Sequence, residues 1–366
     1  MSAETGLAEA FGDSNLADRY VSATRRRSVM IIAGIAILLL IAGTVAVLGI
    51  ADTGLGALVS ILLSKLSFGH VMTDVDPQQA RVILFLRLPR VVMAMIAGAA
   101  LSVAGVLMQA ITRNPLVSPY TIGVSSAAAF GASIAIMFGV GFTAAGFYFV
   151  PITAFLCALG CALAVFSMAW LRNMGSQTMI LTGIALMYLF SAMTAAVQFI
   201  ATQEQLARVV HWTFGSFNGV GWNAVGISAL VLVIALPFAQ LHAWKLNALT
   251  SAGDDVARSF GINVPVLRGI AIVLSVVMSA VVISFAGVIG FVGLIGPHLA
   301  RLLIGSDHRY LIPFSAVCGA ILLLLADTIG RLAFSPTVIP VGIVVAFVGV
   351  PAFLHLIISR RSEYFA

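Results

Sequence analysis

Few residues in this chain could do chemistry, and their spacing argues against catalysis. The two lysines, Lys65 and Lys245, do not follow the glycine pattern of a phosphate-binding loop. Cys157 and Cys161 lie one helical turn apart and could share a metal ion, but no histidine or carboxylate stands near them in the sequence. Packing in an apolar helix is therefore the favoured interpretation of both cysteines. We predict that this chain is not an enzyme and holds no catalytic residue, metal ion or cofactor of its own.

Asp327 and Arg331 are ionisable residues that stand deep in apolar sequence. They lie four residues apart in LLLLADTIGRL, so both fall on one face of a helix, where they can pair. We favour a structural pair over a proton relay. His298 follows Pro297 and is predicted to begin a helix, whereas His355 falls near the end of the last apolar run. A pore or ligand role for either histidine is the weaker alternative.

The composition places these residues in a membrane. Of the 366 residues, 61% are hydrophobic and 9% are charged, whereas a soluble domain carries about 25% charged residues. Such a chain cannot hide its apolar surface within itself, so the lipid bilayer must be its solvent. Arginines beside membrane spans explain the net charge of +6 better than nucleic-acid binding does. Residues 1–28 lack a signal-peptide pattern and are predicted to form a flexible cytoplasmic tail before a single transmembrane domain, residues 29–366.

Ten apolar runs are long enough, or nearly so, to cross a bilayer. We predict an all-α integral membrane protein with spans at Val29–Ile50, Leu88–Ile111, Pro119–Gly139, Gly146–Leu171, Met179–Ala201, Val225–Trp244, Leu267–Ala286, Val288–Ile304, Leu311–Gly330 and Val338–Ile358. The eighth run is short and rich in glycine and proline. With both termini in the cytoplasm, 13 of the 19 lysines and arginines fall inside, in the direction that the positive-inside rule requires.

The segment SAGDDVARSFGINVPVLRG, residues 251–269, interrupts the apolar pattern on the predicted cytoplasmic side, between the sixth and seventh spans. Its DDVARSFGI part can form about two helical turns, with Asp254 and Asp255 at the favourable end of the helix dipole and Gly261 able to end the helix. Val256 and Phe260 make an apolar side. A solvated loop and a docking helix for a cytoplasmic partner explain this pattern about equally well.

Arginines on the predicted outer side run against the positive-inside rule. Arg81, Arg87 and Arg90 stand at or just before the second span, and Arg331 ends the ninth. Snorkelling to the interface explains one or two of them. A surface that binds an acidic partner explains the whole set, because arginine makes strong paired contacts with carboxylates. We favour this second explanation.

Four stretches are distinctive when they are taken together. They are RLPRVVMAMIAGAALSVAGVLMQAITRNPLVSPYTIGVSSAAAFGA (Arg87–Ala132), ARSFGINV (Ala257–Val264), AGVIGFVGLIGPHLARLLIGSDHRYLIP (Ala286–Pro313), and LLLADTIGRL followed by PVGIVVAFVGVPAFLHLI (within Leu323–Ile357). The chain resembles, through them, the FecCD-type membrane permease subunits of ATP-binding-cassette (ABC) importers for iron chelates, haem and cobalamin. The likeness covers nearly everything from the first span onward, but not the N-terminal tail or residues 54–76.

The resemblance implies the type II ABC importer permease fold, with ten spans in each subunit. It implies a second permease subunit, identical or paralogous, two cytoplasmic ATPases that bind ATP and Mg²⁺, and an outer substrate-binding protein. The segment of residues 252–265 would be the coupling helix that docks on an ATPase. The residues at the matching coupling positions are Asp254, Ala257, Arg258 and Gly261. The outer arginines that would receive glutamates of the binding protein are Arg87, Arg90 and Arg331.

The resemblance further implies a pathway lined mainly by the fifth and tenth spans, which alternating access would open to one side at a time. Helical spacing suggests its lining as Gly183, Met187, Ser191, Thr194, Val344, Phe347 and Val348, and the inner gate as Ser176 and Gln177. A ferric siderophore is the first expectation for the substrate, with haem next and cobalamin or molybdate open. The alternatives from other classes are an ion-coupled secondary transporter, a channel, or a membrane scaffold. The expected location is the inner membrane of a bacterium or an archaeon.

Overall fold

The computed structural model describes residues 14–48, 56, 60, 76–138, 148–171, 176–333 and 335–359, and these residues form helices with no strand among them. In chain order the helices are α1 (Ser14–Val47), α2 (Pro77–Val82), a π-helical turn (Ile83–Arg87), α3 (Leu88–Thr112), α4 (Val124–Met137), α5 (Phe149–Leu171), α6 (Ser176–Ile200), α7 (Gln203–Thr213), α8 (Trp222–Leu241), α9 (Ala243–Ser259), α10 (Val264–Ala286), α11 (Val292–Ile304), α12 (His308–Leu332) and α13 (Val341–Ser359).

Each predicted span contains one of these helices, which confirms the predicted all-α membrane fold. Seven helices of the described chain are long and apolar enough to cross a bilayer, and three shorter apolar helices account for the rest. The shorter ones are α4, α11 and Val341–Pro351 of α13. The short α11 coincides with the eighth run. Gly305, the residue directly after this run, ends the helix with a backbone φ of 89°.

Helical structure extends beyond two of the predicted boundaries. Helix α1 begins at Ser14, so the described part of the predicted flexible tail is helical and continues into the first span without a break. This extension is held by side chains, since Tyr20 accepts a hydrogen bond from Arg309 and Arg27 pairs with Asp307 at 3.7 Å. The second span is likewise preceded by α2, which the Asp76 side chain caps. Residues 1–13 and nearly all of residues 54–76 lie outside the described residues.

Helix α3 lies at the centre of the chain, and its residues 97–112 are all buried. It packs against α10, α11 and α12. A β-carbon on Gly98 would overlap the carbonyl oxygen of Gly319 in α12, and one on Gly105 would overlap the carbonyl oxygen of Gly293 in α11. Glycine is needed at both crossings because the backbones themselves touch, as is common where small residues let membrane helices approach closely.

Helix α7 is an element that the apolar pattern did not predict. It begins with a reciprocal cap in which Thr202 accepts from the backbone of Gln205 and the Gln205 side chain accepts from the backbone of Thr202. The Gln205 amide also donates to the Met137 carbonyl at the end of α4. Just beyond α7, the Ser216 amide donates to the Ala286 carbonyl at the end of α10. This helix therefore closes the space between α4, α6 and the α10–α11 junction.

The two ends of α3 define the two ends of the bundle. We call the end near Thr112, which the sequence predicts to be cytoplasmic, the inner end. The opposite end, near Arg90, is the outer end. Helix α12 runs antiparallel to α3 and brings Asp327 and Arg331 to the outer end as well.

Candidate functional site

The inner end carries a short exposed helical segment, residues 254–262, which we call the inner segment. A break at Gly253 (φ 83°, ψ −179°) separates it from the rest of α9, in a conformation that only glycine adopts readily. The side chain of Arg113 packs against this glycine, 3.1 Å from the position of a β-carbon. The helical turns end at Ser259, so the predicted coupling helix of residues 252–265 is shorter than expected, and α10 already begins at Val264.

Arg268 fixes the inner segment to the bundle. Its guanidinium donates to both carboxylate oxygens of Asp254, at 2.9 and 3.0 Å, and to the Ile111 carbonyl near the end of α3 at 3.1 Å. The Arg268 side chain is 5% exposed and that of Asp254 is 31% exposed. Asp254 therefore faces the permease rather than the solvent. This pair joins the inner segment, α3 and α10 at one point.

The other residues of the inner segment divide between the bundle and the solvent. Ala257 is fully buried, whereas Val256 is 41% and Phe260 72% exposed. Arg258 is also exposed and lies 3.9 Å from Asp255. Gly261 ends the segment with φ 75°, and the Ile262 amide donates to the Ala257 carbonyl, as in a Schellman motif. The sequence predicted this glycine stop correctly. The outward surface is thus mainly Val256, Arg258 and Phe260.

The outer end gathers the predicted docking arginines around one carboxylate. Arg90 donates to both oxygens of Asp327 at 2.8 to 3.1 Å, and Arg331 lies 3.5 Å from the same carboxylate. Asp327 is 2% exposed. The predicted pairing of Asp327 with Arg331 is therefore confirmed, but the closer partner is Arg90, which lies 237 residues away and which the sequence did not connect to it.

The third predicted docking arginine, Arg87, lies beside Arg90 and Arg331. Arg87 donates to the Val47 carbonyl at the end of α1, at 3.0 Å. Arg87, Arg90 and Arg331 all line a cavity of about 310 Å³ whose wall also contains Phe85 and Asn218. We call Arg87, Arg90, Arg331 and Asp327 the outer cluster. Arg90 and Arg331 both lie against the carboxylate of Asp327, so two guanidinium groups meet one carboxylate and leave a local excess of positive charge among the described residues.

A second charged group at the inner end holds the α1 extension. Asp307 caps α12 and accepts from Arg309 and from the Asn247 amide. Burial alone would raise the pKa of Asp307, but the hydrogen bonds from Arg309 and Asn247 and the charge of Arg309 outweigh burial and lower it to about 2. Arg309 also stacks over the Trp244 ring, 4.0 Å from its centroid. The carboxylate is therefore charged throughout the physiological pH range.

The predicted pathway residues fall into two groups. On α6, Gln177 and Ser191 are exposed, Met187 is half-buried and Ser176 begins the helix. On α13, Phe347 and Val348 are 77% and 53% exposed. Gly183 instead packs against Ile122, and Val344 is 8% exposed beside Gly330. Both are taken up by packing within this chain, so neither presents a free surface to a pathway.

Thr194 and Ser191 share a cavity of about 240 Å³ between α4, α6 and α7. Its lining carries six hydroxyl groups and no charged side chain. The lining residues are Tyr120, Ser125, Ser126, Ala129, Ser191, Thr194, Thr213 and Val288. We call this space the hydroxyl cavity. The sequence placed Ser191 and Thr194 on one helix face but did not bring the residues from the other elements to it.

The remaining candidate ligands occupy packing positions. Cys161 lies 3.8 Å from the Ile122 carbonyl, and Cys157 packs against Gly131 of α4. Among the residues that the structure describes, no three His, Cys, Asp or Glu side chains come together as metal ligands. His298 lies within the second turn of α11, so the expectation that it begins a helix was wrong.

The fold and its two charged ends define a membrane permease. The FecCD transport family model matches residues 36–359, and the chain belongs to this family of ABC importer permeases. An ABC transporter permease of Methanocaldococcus jannaschii is 41% identical over 76% of this chain and 82% of its own length. The molybdate import permease of Haemophilus influenzae is 36% identical over 79% and 84%, respectively.

The similarity extends to a solved structure. A metal-chelate type ABC transporter in an inward-facing conformation has a TM-score of 0.77 and 32% identity, and the match covers 90% of this chain and 99% of that one. Further relatives are permeases for hemin, Fe(3+)-citrate, achromobactin and cobalamin. This chain is therefore a multi-pass permease of the ABC importer class.

Proposed function

We propose that this chain pairs with a second, identical subunit to form the pathway of a metal-chelate importer. A ferric siderophore is the first candidate for the substrate and haem the next, with cobalamin and molybdate as alternatives. The chelate would arrive on an outer binding protein and leave into the cytoplasm. The observation that carries this proposal is the inner segment, a short exposed helix tied to the bundle by Arg268.

The inner segment suits the docking of an ATPase. It presents Val256 and Phe260 to solvent at the predicted cytoplasmic end, where exposed apolar side chains favour a protein partner. Because Arg268 joins the segment to both α3 and α10, a displacement of the segment would be transmitted to the helix bundle. Asp254 and Ala257 would serve this function from the permease side, whereas Arg258 would face the ATPase.

The outer cluster suits an acidic partner. Arg87 and Arg331 line the open cavity, and the cluster has more positive than negative charge. Carboxylates of a binding protein would restore the balance. Arg90 would contribute mainly through its position, because Asp327 already occupies its guanidinium. The same arrangement disfavours an ion-coupled secondary transporter, since a proton relay would have to release an aspartate that two arginines hold.

The pathway would lie along the exposed faces of α6 and α13. Ser191 and Met187 would line it on α6, and Phe347 and Val348 on α13, with Ser176 and Gln177 at the inner gate. Thr194 is 8% exposed and would reach the pathway only through the hydroxyl cavity. ATP binding in the partner ATPases would press on the inner segment and change which side is open. Both termini would lie in the cytoplasm, and the host membrane would be the inner membrane of a bacterium or an archaeon.

The test is ATP-driven uptake in proteoliposomes that contain the permease, its ATPase and its binding protein. Ferric siderophore, haem and cobalamin are titrated in turn, for the parent, Gly261→Val and Gly261→Asn. Asparagine tolerates the left-handed backbone of Gly261, whereas a branched side chain strains it by about 1–2 kcal/mol. We expect ligand-stimulated hydrolysis and uptake in the parent and in Gly261→Asn. In Gly261→Val we expect uptake to fall at least fivefold while hydrolysis continues. Uptake driven by an ion gradient without ATPase would overturn the proposal.

A further inference from the structure

The hydroxyl cavity contains a buried hydroxyl group that the fold leaves unused. Ser125 is 2% exposed, and its Oγ has no hydrogen-bond partner among the described residues. The residue lines both the hydroxyl cavity and a smaller neighbouring cavity. Buried polar groups are nearly always paired with protein or with a bound molecule. An unpaired hydroxyl at this place therefore indicates a hydrogen-bond partner outside the described residues, such as a molecule in the cavity.

Helix α4 begins at the same place. Its first residue is Val124, and it runs for 14 residues after Gly123, whose φ of 86° turns the chain into the helix. Ser125 and Ser126 occupy the first turn, where backbone N–H groups have no acceptor within the helix and the positive end of the helix dipole lies. The start of α4 thus adds donors and a partial positive charge to the unpaired Ser125 hydroxyl, and both favour an anion.

Two of the other hydroxyls in the cavity already donate hydrogen bonds within their own helices. Thr194 donates to the Phe190 carbonyl at 2.8 Å and Thr213 to the Val210 carbonyl at 2.7 Å, so both present lone pairs to the cavity. The Ser125 hydroxyl on the α4 side can therefore donate to a ligand, whereas the Thr194 and Thr213 hydroxyls cannot. Among the described residues that line the cavity, none carries a carboxylate that would repel an anion. The excess positive charge of the outer cluster would favour anions at the entrance too.

We propose that the hydroxyl cavity is a transient binding station for negatively charged oxygen atoms on their way through the permease. The oxygens would belong either to a free oxyanion or to the carboxylate or hydroxamate groups of a ferric chelate. A space of about 240 Å³ accommodates an oxyanion or one oxygen-rich arm of a chelate. This inference rests on the proposed function, because it names the chemistry of the substrate that the pathway accepts.

The decisive variant is Ser125→Ala. Because the hydroxyl has no partner within the described fold, its removal should leave the unfolding temperature of the complex unchanged or slightly higher. The matched control is Ser133→Ala on the same helix, whose hydroxyl donates to the Ala129 carbonyl at 2.7 Å and lies outside the cavity. Any effect specific to Ser125 then reports on ligand contact rather than on helix stability.

The experiment measures binding and uptake with two probes, sodium molybdate and ferric citrate. Binding to the purified permease–ATPase complex is measured by calorimetry without the binding protein, and uptake is measured in proteoliposomes with it. We expect Ser125→Ala to weaken probe binding about tenfold and to reduce uptake severalfold, and Ser133→Ala to match the parent. An effect with molybdate alone identifies a free oxyanion as the source of the oxygens, and an effect with ferric citrate alone identifies a chelate.

Three results would overturn the inference. They are equal binding and uptake in Ser125→Ala and the parent, a fall in its unfolding temperature that accounts for the loss, and equal losses in Ser133→Ala. The proposed function fails separately. A parent complex that binds a probe through Ser125 but shows no ATP-driven uptake would remove the importer proposal and keep the site. Normal ATP-driven uptake in both the parent and Ser125→Ala would remove the proposed site and keep the importer proposal.

Discussion

The Arg268–Asp254 pair at the inner end and the outer cluster use ion pairs in opposite ways. At the inner end, Arg268 and Asp254 match one to one, and Arg268 also donates to the Ile111 carbonyl. At the outer end, the single carboxylate of Asp327 is shared by Arg90 and Arg331. The inner group is complete in this chain, whereas the outer group has charge left over.

The difference teaches what each end can do. A one-to-one pair with good geometry holds its elements at a fixed distance, although an ion pair removed from water adds little net stability compared with apolar packing. An incomplete cluster costs free energy that an incoming carboxylate can recover. The inner pair therefore joins parts of one chain. We propose that the outer cluster receives another molecule.

The largest expected effect comes from Asp327→Asn. It would leave the Arg90 and Arg331 charges without a counterion at positions only 13% and 16% exposed. We expect the free energy of unfolding to fall by about 3 kcal/mol, which thermal unfolding of the detergent-solubilised protein would measure. The double variant Arg90→Met with Asp327→Asn should recover part of the loss, because one uncompensated charge is removed. Equal unfolding temperatures for parent and single variant would show that Asp327 does not hold the cluster.

A smaller effect on stability is expected from Arg268→Ala, about 2 kcal/mol, because Asp254 is partly exposed and water can replace its partner. The functional effect should be larger, with ATP hydrolysis continuing while uptake per ATP falls. Both quantities are measured in the same proteoliposomes. Arg208→Ala is the matched control for a lost arginine, since Arg208 pairs with Glu204 on the exposed side of α7, away from the inner segment. Parallel losses in both variants would contradict the assignment of Arg268 as the joint.

The smallest effect on stability is expected from Arg331→Gln, under 1 kcal/mol, because Arg90 still neutralises Asp327. Binding-protein affinity should fall about tenfold, or 1.4 kcal/mol, with a weaker salt dependence. A biosensor titration at two salt concentrations measures both. Arg81→Gln, at an exposed position of α2, controls for the general loss of positive charge. If the two variants weaken docking equally, the outer cluster is not a specific receptor.

Local sequence rules predicted what depends on neighbours in the chain. Apolar runs marked every membrane helix because the bilayer requires about 20 apolar residues for each crossing. The spacing of Asp327 and Arg331 predicted their pairing, and Gly261 marked the end of the inner segment. Helix α7 was missed because it is short and amphipathic, although Thr202 and Gln205 carry a readable capping signal.

Contacts between distant segments escaped prediction for a physical reason. Arg90 and Asp327 are 237 residues apart, and only the antiparallel packing of α3 and α12 brings them together. The sequence did not distinguish Arg268 from the other predicted cytoplasmic arginines. Its partner is evident only in the fold, where the break at Gly253 directs Asp254 toward it. The hydroxyl cavity likewise needs α4, α6 and α7 in place. A periodic pattern indicates a face of a helix but not the surface that the face meets.

Helix α3 links the two ends mechanically. Its 25 residues span about 37 Å, and about 31 Å of this length separates Arg90, which donates to Asp327, from Ile111, whose carbonyl accepts from Arg268. Where it passes α11 and α12, glycine backbones touch directly, so sliding by even one residue would drive a side chain into a carbonyl group. If the inner segment docks an ATPase and the outer cluster docks a binding protein, α3 would transmit a displacement between them with little deformation. Movement at the cytoplasmic face would then shift the outer cluster, and docking at the outer cluster would likewise shift the inner segment.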